Sequence, residues 1–127
     1  MRKQITYTVS AEGRDHGKVF QLTEMPADQA EKWALRALLA IGRAGIDLPP
    51  GIEREGMTAI ARVGLEALMR IDFNDAAPLL DEMMGCVSIQ PNPADPRIVR
   101  ALVADDIEEV ATRVLLRREV FRLHTGF

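Results

Sequence analysis

The sequence has few of the features that would assign it to a particular class of protein. A single cysteine, Cys86, excludes an internal disulfide and is typical of a reducing compartment. Only 5% of the 127 residues are aromatic, so the 47% hydrophobic content is mostly aliphatic, which favours packed helices. No apolar run is long enough to span a bilayer, and "MRKQITYTVS" lacks the apolar core of a secretory signal. The composition therefore predicts one small, cytoplasmic, helical domain with no membrane segment.

Charge and catalytic motifs are also sparse. A net charge of -3 argues against nucleic-acid binding, because neutralising phosphates needs a concentrated basic face. The sequence contains no phosphate loop, zinc spacing or nucleophile elbow. His16, His124 and Cys86 lie outside any catalytic motif, and the acidic residues of 105–109 suit the positive end of a helix. We therefore predict no enzyme, and no catalytic, cofactor-binding or metal-binding residues.

The first 24 residues have the pattern of a β-hairpin. Ile5, Tyr7 and Val9 alternate with polar residues, as in a half-buried strand, and "EGRDHG" supplies turn residues before an apolar return strand. A lone hairpin is marginally stable in water. Two arrangements remain open: the hairpin packs on the helices, or it pairs edge to edge with another copy of the chain.

The remainder of the chain reads as helices separated by proline-rich breaks at "DLPPG" and "QPNPADP". The predicted helices are 27–44, 53–70, 75–86 and 105–123. The predicted fold is mainly α: a small bundle of about four helices with an N-terminal β-hairpin. We expect a single domain over 1–127, with the hairpin at 1–24 and the helical body at 26–124.

Two of the predicted helices carry apolar residues on opposite sides. In the first, Trp33 and Leu38 share one side while Leu35 and Leu39 point the other way; the last helix also has two stripes. Either these helices lie centrally in the bundle, or one side of each meets a partner, because large exposed apolar patches usually mark partners. The residues predicted to form an interface are Leu35, Leu39, Leu116, Val120 and Leu123.

Three segments together resemble a known family. "GKVFQLTEMPADQAEKWALRALLAIGRAG", "APLLDEMMGCVSIQP" and "DIEEVATRVLLRREVFRLHTGF" are similar to tail assembly chaperones of long-tailed bacteriophages and prophages. The resemblance extends from about Gly17 to Phe127. Its motifs are packing patterns, so their combination and order carry it, and no individual functional residue is transferred.

The resemblance implies a non-catalytic helper that binds the long, helical tape-measure protein and keeps it soluble while tail-tube subunits assemble around it. It implies a homo-oligomer in the host bacterial cytoplasm that is absent from the mature virion, and contacts with tail-tube subunits and with a frameshifted, longer form of the chain. Two other functions stay open: a structural tail-completion or connector subunit of the virion, and a regulator, which would need a basic recognition helix that the sequence lacks.

Overall fold

A computed structural model describes residues 1–48, 50, 58, 60, 61 and 64–125, and the architecture given below is that of these residues. Two short 3₁₀ turns, Leu65–Arg70 and Ala104–Asp106, accompany the regular elements. In chain order the strands and α-helices are β1 (Gln4–Thr8), β2 (Val19–Thr23), α1 (Ala27–Arg43), α2 (Phe73–Met84), β3 (Val87–Gln90), β4 (Arg100–Ala101) and α3 (Val110–Thr125).

The described residues form an antiparallel sheet of four strands, in the order β1-β2-β3-β4, packed against three α-helices. The prediction of a mainly helical, four-helix bundle is therefore wrong, while the predicted N-terminal hairpin is confirmed. The sequence pattern failed at β3, because "VSIQ" is too short for its alternation to stand out between Gly85 and Pro91. The two residues of β4 carry no periodic signal at all.

The register of the sheet separates an apolar face from a polar one. Ile5 pairs with Leu22, which in turn pairs with Val87, and Tyr7 follows the same path through Phe20 and Ile89. Directly paired side chains lie on the same face of a sheet, so these residues form one apolar face. Its β2 and β3 members belong to the hydrophobic core together with residues of all three helices. The hairpin thus rests on the helices and pairs with β3 within the same chain.

The first helix agrees closely with its prediction, beginning at Ala27 and ending at Arg43. Gly45 follows with a φ of 83°, a left-handed conformation that side-chain-bearing residues rarely adopt and that commonly ends a helix. Trp33 is buried and donates a hydrogen bond from Nε1 to the carbonyl oxygen of Leu79 on α2, at 3.0 Å. This bond fixes α1 against α2 through the largest buried side chain of the described residues.

Of the second predicted helix, 53–70, residues 53–57, 59, 62 and 63 lie outside the described residues, while Thr58, Ile60 and Ala61 are helical. Its described end, Leu65–Arg70, is a 3₁₀ turn rather than an α-helix. Among the described helices, none combines the length and the apolar character needed to cross a membrane.

Candidate functional site

The five residues predicted to form an interface fall into two groups. Leu35 and Leu39 lie on the exposed side of α1, and Leu39 is 70% exposed. Leu116, Val120 and Leu123 are instead buried in the core of this chain. The assignment of these three residues to an interface is thereby corrected: they stabilise the fold, and only Leu35 and Leu39 remain available to a partner.

The two apolar stripes of α3 lie the other way round from the prediction: the stripe assigned to an interface is buried, and the opposite stripe is exposed. Val110 and Val114, on the stripe opposite the predicted interface residues, are exposed. The helix directs another set of side chains, spaced by four, four and three residues, toward the core: Thr112, Leu116, Val120 and Leu123. This spacing is one face of an α-helix, so the sequence was right about the stripes and wrong about which one is covered.

A buried aspartate binds the start of α3. Asp15, in the turn between β1 and β2, is only 1% exposed. Its carboxylate accepts hydrogen bonds from the backbone N–H groups of Glu108 and Glu109, both at 3.0 Å, and from the hydroxyl of Thr112 at 2.6 Å. These donors sit at the start of α3, where backbone N–H groups lack partners within the helix. Asp15 therefore caps α3 from another element and holds its Thr112 face inward.

Lys18 completes this arrangement. Its Nζ lies 2.9 Å from Oδ1 of Asp15 and also donates to the carbonyl oxygen of Asp106 and to the carboxylate of Glu108. Burial by itself raises the pKa of Asp15, but the hydrogen bonds from Thr112, Glu108 and Lys18 outweigh it and hold that pKa well below its usual range. Burial alone would lower the pKa of Lys18, yet its partners Asp15 and Glu108 raise it. Both groups are thus charged in the folded chain at neutral pH.

The same turn makes further contacts with the segment before α3. The backbone N–H of Arg14 donates to the carboxylate of Glu109 at 2.8 Å, and its guanidinium donates to the carbonyl oxygen of Glu108. Gly13 has a φ of 146°, and a Cβ built there would lie 2.7 Å from that Glu109 carboxylate. The positive φ by itself favours glycine at this position, because residues with a side chain rarely adopt it. We call the contacts of residues 13–18 with residues 106–112 the turn–helix clamp.

Sequence reasoning missed the clamp, because Asp15 lies in a stretch that looks like an ordinary polar turn. The one available signal was the spacing of Asp15 and Lys18, three residues apart, which is common on exposed surfaces. The predicted start of the last helix at 105 is wrong, because α3 begins at Val110 and its first turn contains no acidic residue. The acidic residues lie before it, and Glu109 bonds to Arg14 across the fold. The clamp is built from charged groups that satisfy one another, so it serves as a structural joint.

A groove runs between α1 and α2 beside the exposed leucine. Two ion pairs bridge the helices: Arg36 with Glu82, and Arg43 with Asp75 at 3.1 Å. Burial alone would raise the pKa of Glu82, but hydrogen bonds from Arg36 and Gln29 lower it, so the pair stays ionised. The groove has a volume of about 300 Å³ and is lined between the ion pairs by Leu39, Ala40, Pro78 and Leu79.

Leu35 lies one helical turn before Leu39 on the same exposed side of α1. We call Leu35, Leu39 and the groove beside Leu39 the α1–α2 apolar strip. An apolar strip framed by charged side chains is the composition of a protein-binding surface.

The remaining candidate residues take structural positions. His16 is exposed in the turn, with Nδ1 3.3 Å from the carbonyl oxygen of Ala11. His124 accepts a hydrogen bond at Nε2 from the backbone N–H of Met25, at 2.8 Å, and so ties the end of α3 to the start of α1. Within the described ranges, no group of three or more histidine, cysteine or acidic side chains could hold a metal ion.

Cys86 is expected to react slowly with alkylating reagents in the folded chain. Burial, aided by the negative charge of Glu82, raises the pKa of its thiol from 9.0 to about 11. Below both values this lowers the thiolate fraction by about a hundredfold, and the thiolate is the reactive form. Iodoacetamide labelling at pH 8, followed by mass spectrometry, should be slow in buffer. In 6 M urea the labelling rate should rise to about that of an ordinary peptide thiol. Equal rates in the two solvents would contradict the expectation.

No protein-family model matches this chain, and neither a curated protein nor a solved structure matches it significantly.

Proposed function

We propose that this chain is a tail assembly chaperone of a long-tailed bacteriophage or prophage. It binds the tape-measure protein without catalysis and keeps it soluble in the host bacterial cytoplasm while the tail tube assembles. It is then absent from the mature virion. The proposal includes homo-oligomers and contacts with tail-tube subunits and with a longer, frameshifted form. Its support is the resemblance of three long segments to that family, together with the α1–α2 apolar strip.

The α1–α2 apolar strip is the observation that carries the proposal. Leu39 exposes most of its side chain to solvent, although a small chain gains stability by covering such groups. A groove between two helices is a common site for the apolar face of an amphipathic helix. The tape-measure protein of such phages is long and helical, and therefore presents many faces of this kind.

The size of the groove fits a transient chaperone. At about 300 Å³ it accommodates few client side chains, and the ion pairs of Arg36 and Arg43 limit its width. Each copy then contributes weak affinity, and several copies acting along one client supply the rest by avidity. Weak individual contacts allow tail-tube subunits to displace the chaperone as the tube grows.

The test is co-expression with the tape-measure protein of the same phage or prophage. The unaltered chain is expected to increase the soluble fraction of that client several-fold, and Leu39→Glu should return it to about the level without chaperone, because a charge in an apolar groove is costly to desolvate. Glutamate and leucine have similar helix propensities, so α1 should persist. The measurement is quantitative gel densitometry of soluble and pelleted client.

The matched control is Val110→Glu, which places the same charge on an apolar residue of α3 that is 77% exposed. It should leave client solubility unchanged. If the unaltered chain has no effect on the client, the proposed function is wrong; if both variants retain the full effect, the client binds elsewhere. Mass spectrometry of purified virions separates the proposal from its alternative, since a connector or completion subunit would be present in them.

A further inference from the structure

The outer edge of β1 lacks the devices that usually protect a sheet edge. Within the described part of the chain, β1 pairs with β2 on one side, and no strand lies on the other. Its sequence, "QITYT", contains no charged residue, no proline and no glycine. Sheet edges are normally protected by lysine, proline, bulges or covering segments, because an open edge pairs readily with another strand.

The backbone of β1 presents its free groups in a regular order. The carbonyl oxygen of Lys3 accepts a hydrogen bond from the N–H of Glu24 at 3.0 Å, and the N–H of Val9 donates to the carbonyl oxygen of Lys18 at 2.9 Å. On the β1 side of the pair, the backbone groups of these two odd-numbered residues, Lys3 and Val9, therefore point toward β2. Since these directions alternate along an antiparallel strand, the N–H and C=O groups of Gln4, Thr6 and Thr8 point outward.

The side chains of β1 also alternate, between the two faces of the sheet. Ile5 and Tyr7 lie on the apolar face of the sheet, opposite Leu22 and Phe20. Both β2 residues are fully buried, whereas Ile5 at the edge remains 36% exposed. The apolar face therefore continues to the edge of the sheet, where its side chains are only partly buried.

We propose that a second copy of this chain pairs with β1 in an antiparallel arrangement, with a two-fold axis at Thr6. The sequence is self-complementary in this register. Thr6 faces its counterpart, and Gln4 faces Thr8, so all the outward N–H and C=O groups pair, giving about six main-chain hydrogen bonds. Two four-stranded sheets then join into one continuous sheet of eight strands.

The same register improves the side-chain contacts. Ile5 of each copy lies opposite Tyr7 of the other, in the non-hydrogen-bonded position where side chains approach most closely. An aromatic residue beside a β-branched one is a favourable cross-strand pair, and here it covers the exposed part of Ile5. The segment that covers the exposed part of β1 in one copy is thus β1 of the other copy.

Charge does not oppose this register. No like charges meet within the paired strands, because β1 carries none. The contact is short, so the dimer should be in equilibrium with the monomer at micromolar concentrations. This inference does not depend on the proposed function.

Hydrogen exchange measured by NMR over a range of protein concentrations tests the pairing directly. At low concentration the amides of Gln4, Thr6 and Thr8 should exchange quickly while those of Ile5 and Tyr7 are protected. At high concentration the even-numbered amides should become protected as well. Analytical ultracentrifugation of the same samples should give the mass of a dimer.

Two substitutions at Thr6 disrupt the proposed contact in different ways. Thr6→Pro removes an outward N–H that the β1–β2 ladder does not use, and proline is tolerated on edge strands in that position. Thr6→Lys places two positive charges face to face on the axis. Each variant should weaken dimerisation by about tenfold or more while keeping the circular dichroism spectrum.

Gln21→Lys is the matched control. Gln21 pairs with Thr6 in the neighbouring strand, so its variant carries the same charge on the same face, one strand in from the edge. It should dimerise as the unaltered chain does. The proposal is overturned if the unaltered chain is monomeric at every concentration. It is equally overturned if dimers persist in Thr6→Lys, or if the even-numbered amides become protected only on addition of a different protein.

Discussion

Replacing Asp15 by alanine is expected to lower the free energy of unfolding at pH 7 by about 3 kcal/mol or more. The substitution removes the acceptor for the N–H groups of Glu108 and Glu109 and for the Thr112 hydroxyl, and it leaves Lys18 without its most buried partner. Loss of a helix cap alone costs about 1–2 kcal/mol. Breaking a buried ion pair by removing one partner adds more, because the remaining groups stay desolvated.

Urea unfolding monitored by circular dichroism measures this difference. Asp105→Ala is the appropriate control, since Asp105 carries the same charge just before α3 but is exposed. It should change stability little, as most exposed substitutions do. Asp15→Asn keeps the shape of the side chain and should fall between the two, because its amide nitrogen cannot accept. A loss no greater for Asp15→Ala than for Asp105→Ala would rule out the clamp as a stabilising joint.

The contribution of Asp15 is also expected to depend on pH in one direction. Its pKa in the folded chain lies well below the value of about 3.9 for aspartate in an unfolded chain. As the pH falls, the unfolded state therefore binds the proton first, and the stabilisation is lost below about pH 4. The stability difference between the unaltered chain and Asp15→Asn should be largest at neutral pH and shrink toward pH 2–3. A difference that is constant over this range would be inconsistent with a carboxylate clamp.

Leu116→Ala is expected to reduce the free energy of unfolding by about 3 kcal/mol, in the usual range for a fully buried leucine. The loss combines the removed apolar contacts with the cavity that the neighbouring side chains fail to close. Val114→Ala, two residues away on the exposed stripe, should cost about 0.5 kcal/mol or less. Thermal unfolding of the two variants side by side provides the measurement.

This comparison also decides between the two possible orientations of α3. If Leu116 formed an interface and Val114 belonged to the core, the costs would be reversed in the monomer. Leu116→Ala would then weaken association and leave monomer stability nearly unchanged. The structure predicts the opposite order, because Leu116 and Val120 are fully buried within the chain.

The sequence by itself determined the elements in which local information is strong. The hairpin followed from the alternation of Ile5 and Tyr7 and from the turn residues after them. The first helix was bounded correctly to within one residue, because Pro26 precedes it and Gly45 follows it. Both Leu35 and Leu39 were assigned to the side of that helix away from Trp33, where they lie.

Only the tertiary structure decided which surfaces are covered. Both stripes of α3 are apolar, so periodicity cannot choose between them. The covered stripe is set by tertiary contacts, among them the hydrogen bond from Thr112 to Asp15, about a hundred residues away in the chain. The strand β3 is stabilised by pairing with β2, although α1 and α2 lie between the two strands in the chain, and four residues carry no local signal of such a distant contact. Burial depends on which residues folding brings into contact. The charge, size and order of residues along the chain restrict these contacts but do not identify them.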